Sequence, residues 1–228
     1  MSAPTLLLSP APALPRWMGV SGFVDLHCHI LPGVDDGPKS EQDAAALLEQ
    51  AYLAGTAAMA ATSHFNFQYG FDPARVAQLL DVLERRLTAT PVLFPGCELE
   101  LNDEALRAFF AAPCNYTLNG SRYALVEPPL RFPPESMPWL LQRFREAEVT
   151  PILAHPERSR LFQTQPKLAA AWAAGAVCCR SPARRCSGAW ADAPRLWPGS
   201  WSKRAWRIAC RAMRTTWRSA QPICDRPS

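Results

Sequence analysis

FVDLHCHI (Phe23–Ile30), followed at once by LPGVDDG (Leu31–Gly37), is the stretch on which the reading of this chain turns. The first eight residues read as a short buried strand. Side chains alternate along a strand with period two, so His27 and His29 share one face. Cys28 points to the opposite face and is expected to pack. The next seven residues are dense in turn formers and read as a loop. A pair of imidazoles at a strand end, with carboxylates in the loop behind it, is the beginning of a ligand set.

The rest of the chain repeats the arrangement. Ser40 caps a helix with apolar positions Ala44, Leu47, Leu48, Ala51 and Tyr52, stopped by Gly55. Thr56–Thr62 reads as a second strand ending at Ser63-His64. An amphipathic helix follows over Asp72–Leu87, with Val76, Leu79, Leu80 and Leu83 on one face. Pro91–Leu101 is a strand carrying Glu98, Asp103–Phe110 a short helix, and Tyr123–Glu127 a strand. Pro138–Ala147 is a helix, Thr150–His155 a strand, and Pro166–Ala174 opens one more helix. Strand-helix alternation of this kind argues for a parallel sheet or barrel.

The chain has four histidines, His27, His29, His64 and His155, and all four fall at strand ends. A lone histidine is more often a satisfied core or surface residue than a ligand; four out of four at strand ends resists that reading. Glu98 and Glu127 lie at strand ends as well, and Asp36 lies in the first loop. The C-terminal rim of an α/β barrel is where sites are built. Imidazoles mixed with carboxylates suit Zn, Mn or Fe better than Ca or Mg. The set exceeds what one ion needs, so it implies two or three, bridged by a carboxylate. Such centres lower the pKa of water toward about 7 and drive hydrolysis. Arg158, three residues after His155, is placed to hold phosphate oxygens in a fork; the bland alternative is a surface ion pair, for instance with Glu157.

Asp25–Gly37, Thr62-Ser-His64, Gly96-Cys-Glu98, Ala124–Glu127 and Ala154-His-Pro-Glu-Arg158, in this order, resemble the PHP (polymerase and histidinol phosphatase) family, in particular its bacterial capsule and exopolysaccharide protein-tyrosine phosphatases. The resemblance implies a distorted, TIM-like β/α barrel with a trinuclear, commonly manganese, site. It implies metal ligands at His27, His29, Asp36, His64, Glu98, Glu127 and His155, with Arg158 on phosphate. The implied reaction is hydrolysis of phosphotyrosine in protein. The implied partner is the phosphotyrosine tail of a membrane-linked bacterial tyrosine autokinase that controls polysaccharide export. The expected location is cytoplasmic, and an oligomer is left open.

Composition divides the 228 residues. Overall, 48% are hydrophobic and 19% charged, which suits a globular domain. No apolar run approaches the roughly 20 residues of a membrane span. Residues 1–22 lack a charged n-region and a long apolar h-region, so they read as a flexible leader, with Met18 as an alternative start. Formal charge is −5 over Met1–Val177 and +9 over Cys178–Ser228, and five of the eight cysteines and five of the eight tryptophans fall in the latter. That tail has no strand or helix period, and it contains no histidine, whereas the family pattern ends in Asp-x-His. Reading new codons from the last base of each codon and the first two of the next, permitted codon choices turn Leu196–Thr215 into LAWELVEKGVAHRVPSDAH. Met213 has a single codon, and it supplies the two bases that Asp requires. The expectation is therefore a partial barrel over 23–177 and an out-of-frame, disordered tail over 178–228, incomplete because of a frameshift. Three alternatives stand beside it: another PHP phosphomonoesterase, for histidinol phosphate or nucleotides; an inactive remnant; and a nucleic-acid binder acting through the Arg/Trp tail. No nucleic acid is expected on the main reading.

Overall fold

The computed structural model describes residues 22–86, 91–129, 132–156, 158–165, Trp172 and Val177–Cys178. The expected leader (save Gly22), most of the helix from Pro166, Glu157 and the tail beyond Cys178 lie outside them.

A serine and a glycine set the limits of the first helix. Ser40 Oγ accepts from the Asp43 N–H at 3.1 Å and donates to the Asp43 carboxylate at 2.7 Å. This satisfies one of the donors orphaned at a helix start. The helix α1 (Glu41–Leu53) carries Glu41 and Asp43 in its first turn, where negative charge suits the helix dipole. Gly55, at φ 89°, turns the chain into the next strand.

The strands are β1 (Phe23–Cys28), β2 (Thr56–Phe65), β3 (Val92–Glu100), β4 (Tyr123–Glu127), β5 (Thr150–Leu153) and β6 (Val177–Cys178). Between them lie α1, α2 (Pro73–Arg86), α3 (Asp103–Ala111), α4 (Ser136–Glu146) and a short α5 (Arg160–Thr164). The strands form one sheet in the order of the chain, every pair parallel. The sheet is curled, as in part of a distorted barrel wall.

Two apolar clusters cover its outer face. Ala44, Leu48, Val76, Leu79, Leu80 and Leu83 of α1 and α2 pack on Met59, Ala61 and Leu93. Leu106, Phe109, Leu140 and Phe144 of α3 and α4 pack on Cys97, Leu99, Ala124, Val126 and Leu153. The side chains between these positions face inward, where Ala60, Leu125 and Ile152 meet Leu118. Leu118 belongs to a 3-10 turn (Leu118–Gly120) that crosses this inner face and packs closely over Gly96: a Cβ there would lie 2.9 Å from Leu118 Cδ2 and force a shift. By the same alternation, His64, Glu98 and Glu127 point inward at the C-terminal ends of their strands.

Strand ends differ from the sequence reading by a few residues, and the differences bear on the site. The first strand stops at Cys28 rather than Ile30, because the turn at Pro32-Gly33 draws the chain away. The second runs on through His64 to Phe65, pairing His64 with Glu98 in register. The fifth stops at Leu153, leaving His155 on the following turn. Cys28 packs against the outer cluster, as expected. No helix among the described residues is long and apolar enough to cross a membrane.

Candidate metal centre

Glu98 is the middle of the site. Its side chain is fully buried, and imidazole nitrogens surround it: His27 Nε2 at 3.1 Å, His29 Nε2 at 3.1 Å, His64 Nδ1 at 3.2 Å and His155 Nε2 at 3.4 Å. Glu127 Oε2 is 3.9 Å from His64 Nδ1. Asp36, 63% exposed, places Oδ1 3.6 Å from His29 Nδ1 and 3.7 Å from His64 Nε2. The seven residues that the sequence suggested as ligands thus lie around one point. Arg158 is exposed on the turn after His155, its N–H donating to the His155 carbonyl at 2.8 Å, and its charge reaches Glu127.

Backbone irregularities aim these side chains. The pairing of β1 with β2 shifts register between Asp25 and Cys28, the stretch that contains His27. His155 adopts φ 43°, a left-handed conformation unusual for a residue with a Cβ. Held there by its place between β5 and Pro156, it turns back toward Glu98. Departures of this kind concentrate at functional sites.

The sequence reading did not single out Asp35. It is nearly buried, and its Oδ2 bonds His29 Nδ1 at 2.7 Å and accepts from the His64 N–H at 3.0 Å, while Oδ1 accepts from the Gly37 N–H at 3.0 Å. Asp35 therefore fixes the tilt of the His29 ring and leaves Nε2 free to face Glu98. This is the carboxylate-histidine arrangement that orients imidazole ligands. Its signal was in the sequence: an Asp two residues before a glycine in a turn bonds the backbone ahead of it.

Electrostatics follow from the crowding. Burial tends to raise the Glu98 carboxyl, but the imidazoles of His155, His27 and His29 overcome it and hold the group well below the usual range. Burial likewise tends to lower His29, yet the carboxylates of Asp35 and Glu98 lift it to about 10. For His27 and His64 burial prevails and both are lowered. Glu127 is raised to about 7, by burial first and then by the charge of Glu98.

A metal cluster fits these residues. Both oxygens of Glu98, His27 Nδ1 and His64 Nδ1 are buried without a hydrogen bond. The imidazoles approach Glu98 closely in distance but not along hydrogen-bond directions. Buried polar atoms left so are costly unless something else satisfies them. Three overlapping groups hold their donor atoms within ligand range of one another: His27, His29 and Glu98; His29, Asp36 and His64; and His64, Glu98 and Glu127. His29, His64 and Glu98, each shared by two groups, link the three.

A parallel α/β sheet with a buried histidine-carboxylate cluster at its strand ends defines the class of α/β proteins with a candidate metal centre at the strand ends. The chain belongs to the family described as "Capsular polysaccharide synthesis, CpsB/CapC", whose model matches residues 23–186. It is 32% identical over 150 residues to the tyrosine-protein phosphatase YwqE of Bacillus subtilis (strain 168), covering 64% of this chain and 59% of that protein. It is 31% identical over 149 residues to the tyrosine-protein phosphatase CpsB of Streptococcus pneumoniae, covering 64% of this chain and 61% of that one. Among solved structures it resembles one from a study of YwqE of B. subtilis and CpsB of S. pneumoniae, described as unique metal-dependent tyrosine phosphatases. The TM-score is 0.62 at 29% identity, over 68% of this chain and 64% of that chain. The chain therefore spans about three-fifths of the length of these relatives.

Proposed function

We propose that this chain is a metal-dependent phosphomonoesterase that removes phosphate from phosphotyrosine in protein. The observation that carries the reading is the fully buried Glu98 carboxylate among four imidazoles, with its oxygens lacking hydrogen bonds. The names of the relatives support tyrosine phosphate over histidinol phosphate or nucleotides as substrate.

On this reading His27, His29, Asp36, His64, Glu98, Glu127 and His155 hold two or three divalent ions, manganese first and iron or zinc next. Bound ions supply Lewis acidity and a lowered pKa for attacking water. Glu98, buried among the four imidazoles, would share in holding them. Asp35, through its 2.7 Å bond to His29 Nδ1, would keep the ring oriented with Nε2 toward Glu98. Arg158, on the open side, draws the remaining phosphate oxygens into a bidentate grip and stabilises the charge that develops on them. The partner is the phosphotyrosine tail of a bacterial tyrosine autokinase in capsule or exopolysaccharide control, met in the cytoplasm.

The domain boundaries belong to the same proposal: a leader to residue 22, a partial barrel over 23–177, and a basic tail over 178–228 read out of frame. An open barrel exposes a sheet edge, and loss of Asp-x-His removes two ligands, so the activity of the chain as written is reduced. The gene tests this: a single-base insertion or deletion near Ala174–Val177 restores Asp-x-His, and if none does, the frameshift is wrong. Hydrolysis tests the function. The manganese-loaded chain and its frame-corrected version, offered a phosphotyrosine peptide and small phosphomonoesters, cleave the peptide preferentially, and a chelator abolishes it. A corrected protein that carries metal and spares every phosphoester overturns the assignment.

A further inference from the structure

Phe67 is the most exposed large apolar side chain among the described residues, at 86%. Single exposed apolar residues are ordinary, so exposure alone decides nothing. Its setting does. Phe67 stands three residues after His64, on a turn between β2 and α2. That turn is braced from within: Asn66 Oδ1 accepts from the N–H groups of Gln68 and Tyr69, both at 2.9 Å, and the Asn66 N–H donates to the Tyr69 carbonyl at 3.0 Å. The Tyr69 ring lies within 10° of parallel to the His64 imidazole, centroids 6.0 Å apart, and Gln68 Nε2 donates to its hydroxyl at 3.1 Å. On either side, Phe65 and Phe71 anchor the segment in an aromatic cluster with Tyr116. The turn is thus fixed at both ends and across its middle, and Phe67 is held out from the core rather than folded onto it.

We propose that Phe67 and Tyr69 form an aromatic platform at the edge of the metal centre that receives the aryl ring of a phosphomonoester, so that the site selects aryl over alkyl phosphates. The inference rests on the phosphatase reading and adds its selectivity. An aryl phosphate carries a flat apolar ring one oxygen away from phosphorus. When its phosphate is drawn to the cluster, the ring emerges at the rim, beside the strand end that bears His64 and the turn that follows it. Offset or edge-on contact with a preorganised ring favours the aryl ester, and an alkyl ester offers no such face. The contact exists before and during reaction alike, so it acts on affinity more than on turnover.

Unreactive phosphonates separate this from the chemistry. The full chain loaded with Mn2+ is titrated by calorimetry with benzylphosphonate and with ethylphosphonate, in the parent and in Phe67→Ala and Phe67→Trp. The parent binds the benzyl compound about 3- to 10-fold more tightly. F67A brings the two affinities together with ethylphosphonate affinity and metal content unchanged, and F67W restores the preference. A parent that binds both equally, or an F67A protein that keeps the preference, overturns the platform and leaves the phosphatase reading standing. A metal-loaded parent that binds neither overturns the phosphatase reading and the platform with it.

Discussion

Replacing Glu98 with glutamine keeps the shape of the side chain and removes its charge, which makes it a direct probe of the cluster. Glu98 is fully buried and faces His27, His29, His64 and His155 at 3.1–3.4 Å. Without metal, its carboxyl is held well below the usual range. The sign follows: ionised Glu98 contributes stability above its unfolded value of about 4.5, lost as pH falls through the lower folded value. At pH 7 the contribution is fully present, and E98Q removes it, leaving the charge of His29 paired with Asp35 alone. Breaking a buried pair from one side costs about 3–5 kcal/mol. Metal adds a second readout. At a concentration 100 times Kd, a bound ion stabilises by about 2.7 kcal/mol. If E98Q weakens binding about 100-fold, the same concentration gives about 0.4 kcal/mol. Thermal melts with and without Mn2+ measure both: E98Q melts lower without metal, and its metal-induced rise in Tm nearly vanishes. An E98Q protein that melts like the parent and gains the same rise with Mn2+ refutes the reasoning.

Three further outcomes follow from the same geometry. Asp35→Asn removes the acceptor that aims His29 and weakens metal affinity about 10- to 100-fold, read by competition with a metal-binding dye; unchanged affinity contradicts the orienting role of the 2.7 Å bond. Metal binding displaces protons, because His29 holds one up to about 10 and Glu127 titrates at about 7, so affinity rises with pH through the neutral range with about one to two protons released. Calorimetry in buffers of different ionisation enthalpy counts them, and a pH-independent affinity rules this out. Arg158→Lys keeps the charge but loses the fork, lowering kcat/KM for phosphotyrosine peptide about 10- to 100-fold with metal content intact; full activity removes Arg158 from phosphate binding.

Much of this site was legible because strands impose parity. His64, Glu98 and Glu127 each lie near the end of a strand on the inward side, so alternation and order alone put them on one rim, whereas His27 sits in a register shift and His29 beyond the end of β1, where parity alone does not place them. The sequence could not divide labour between Asp35 and Asp36. Adjacent aspartates look alike as letters, but the turn sends Asp35 inward to His29 and leaves Asp36 exposed at the mouth. Nor did periodicity reveal how His155 arrives, since its left-handed backbone lies outside any regular element. The Phe67 turn was passed over for the same reason: its order comes from Asn66 bonding its own backbone, which leaves no hydrophobic pattern. The 3-10 turn at Leu118–Gly120, which fills the inner face above Gly96, was equally silent.

Anomalous diffraction at the manganese edge, from crystals grown with Mn2+, asks the decisive question. The expected map has peaks within coordination distance of Glu98 that also touch imidazole nitrogens of His27, His29, His64 and His155. Ordered manganese bound only elsewhere, with these side chains in place and their centre empty, contradicts the account.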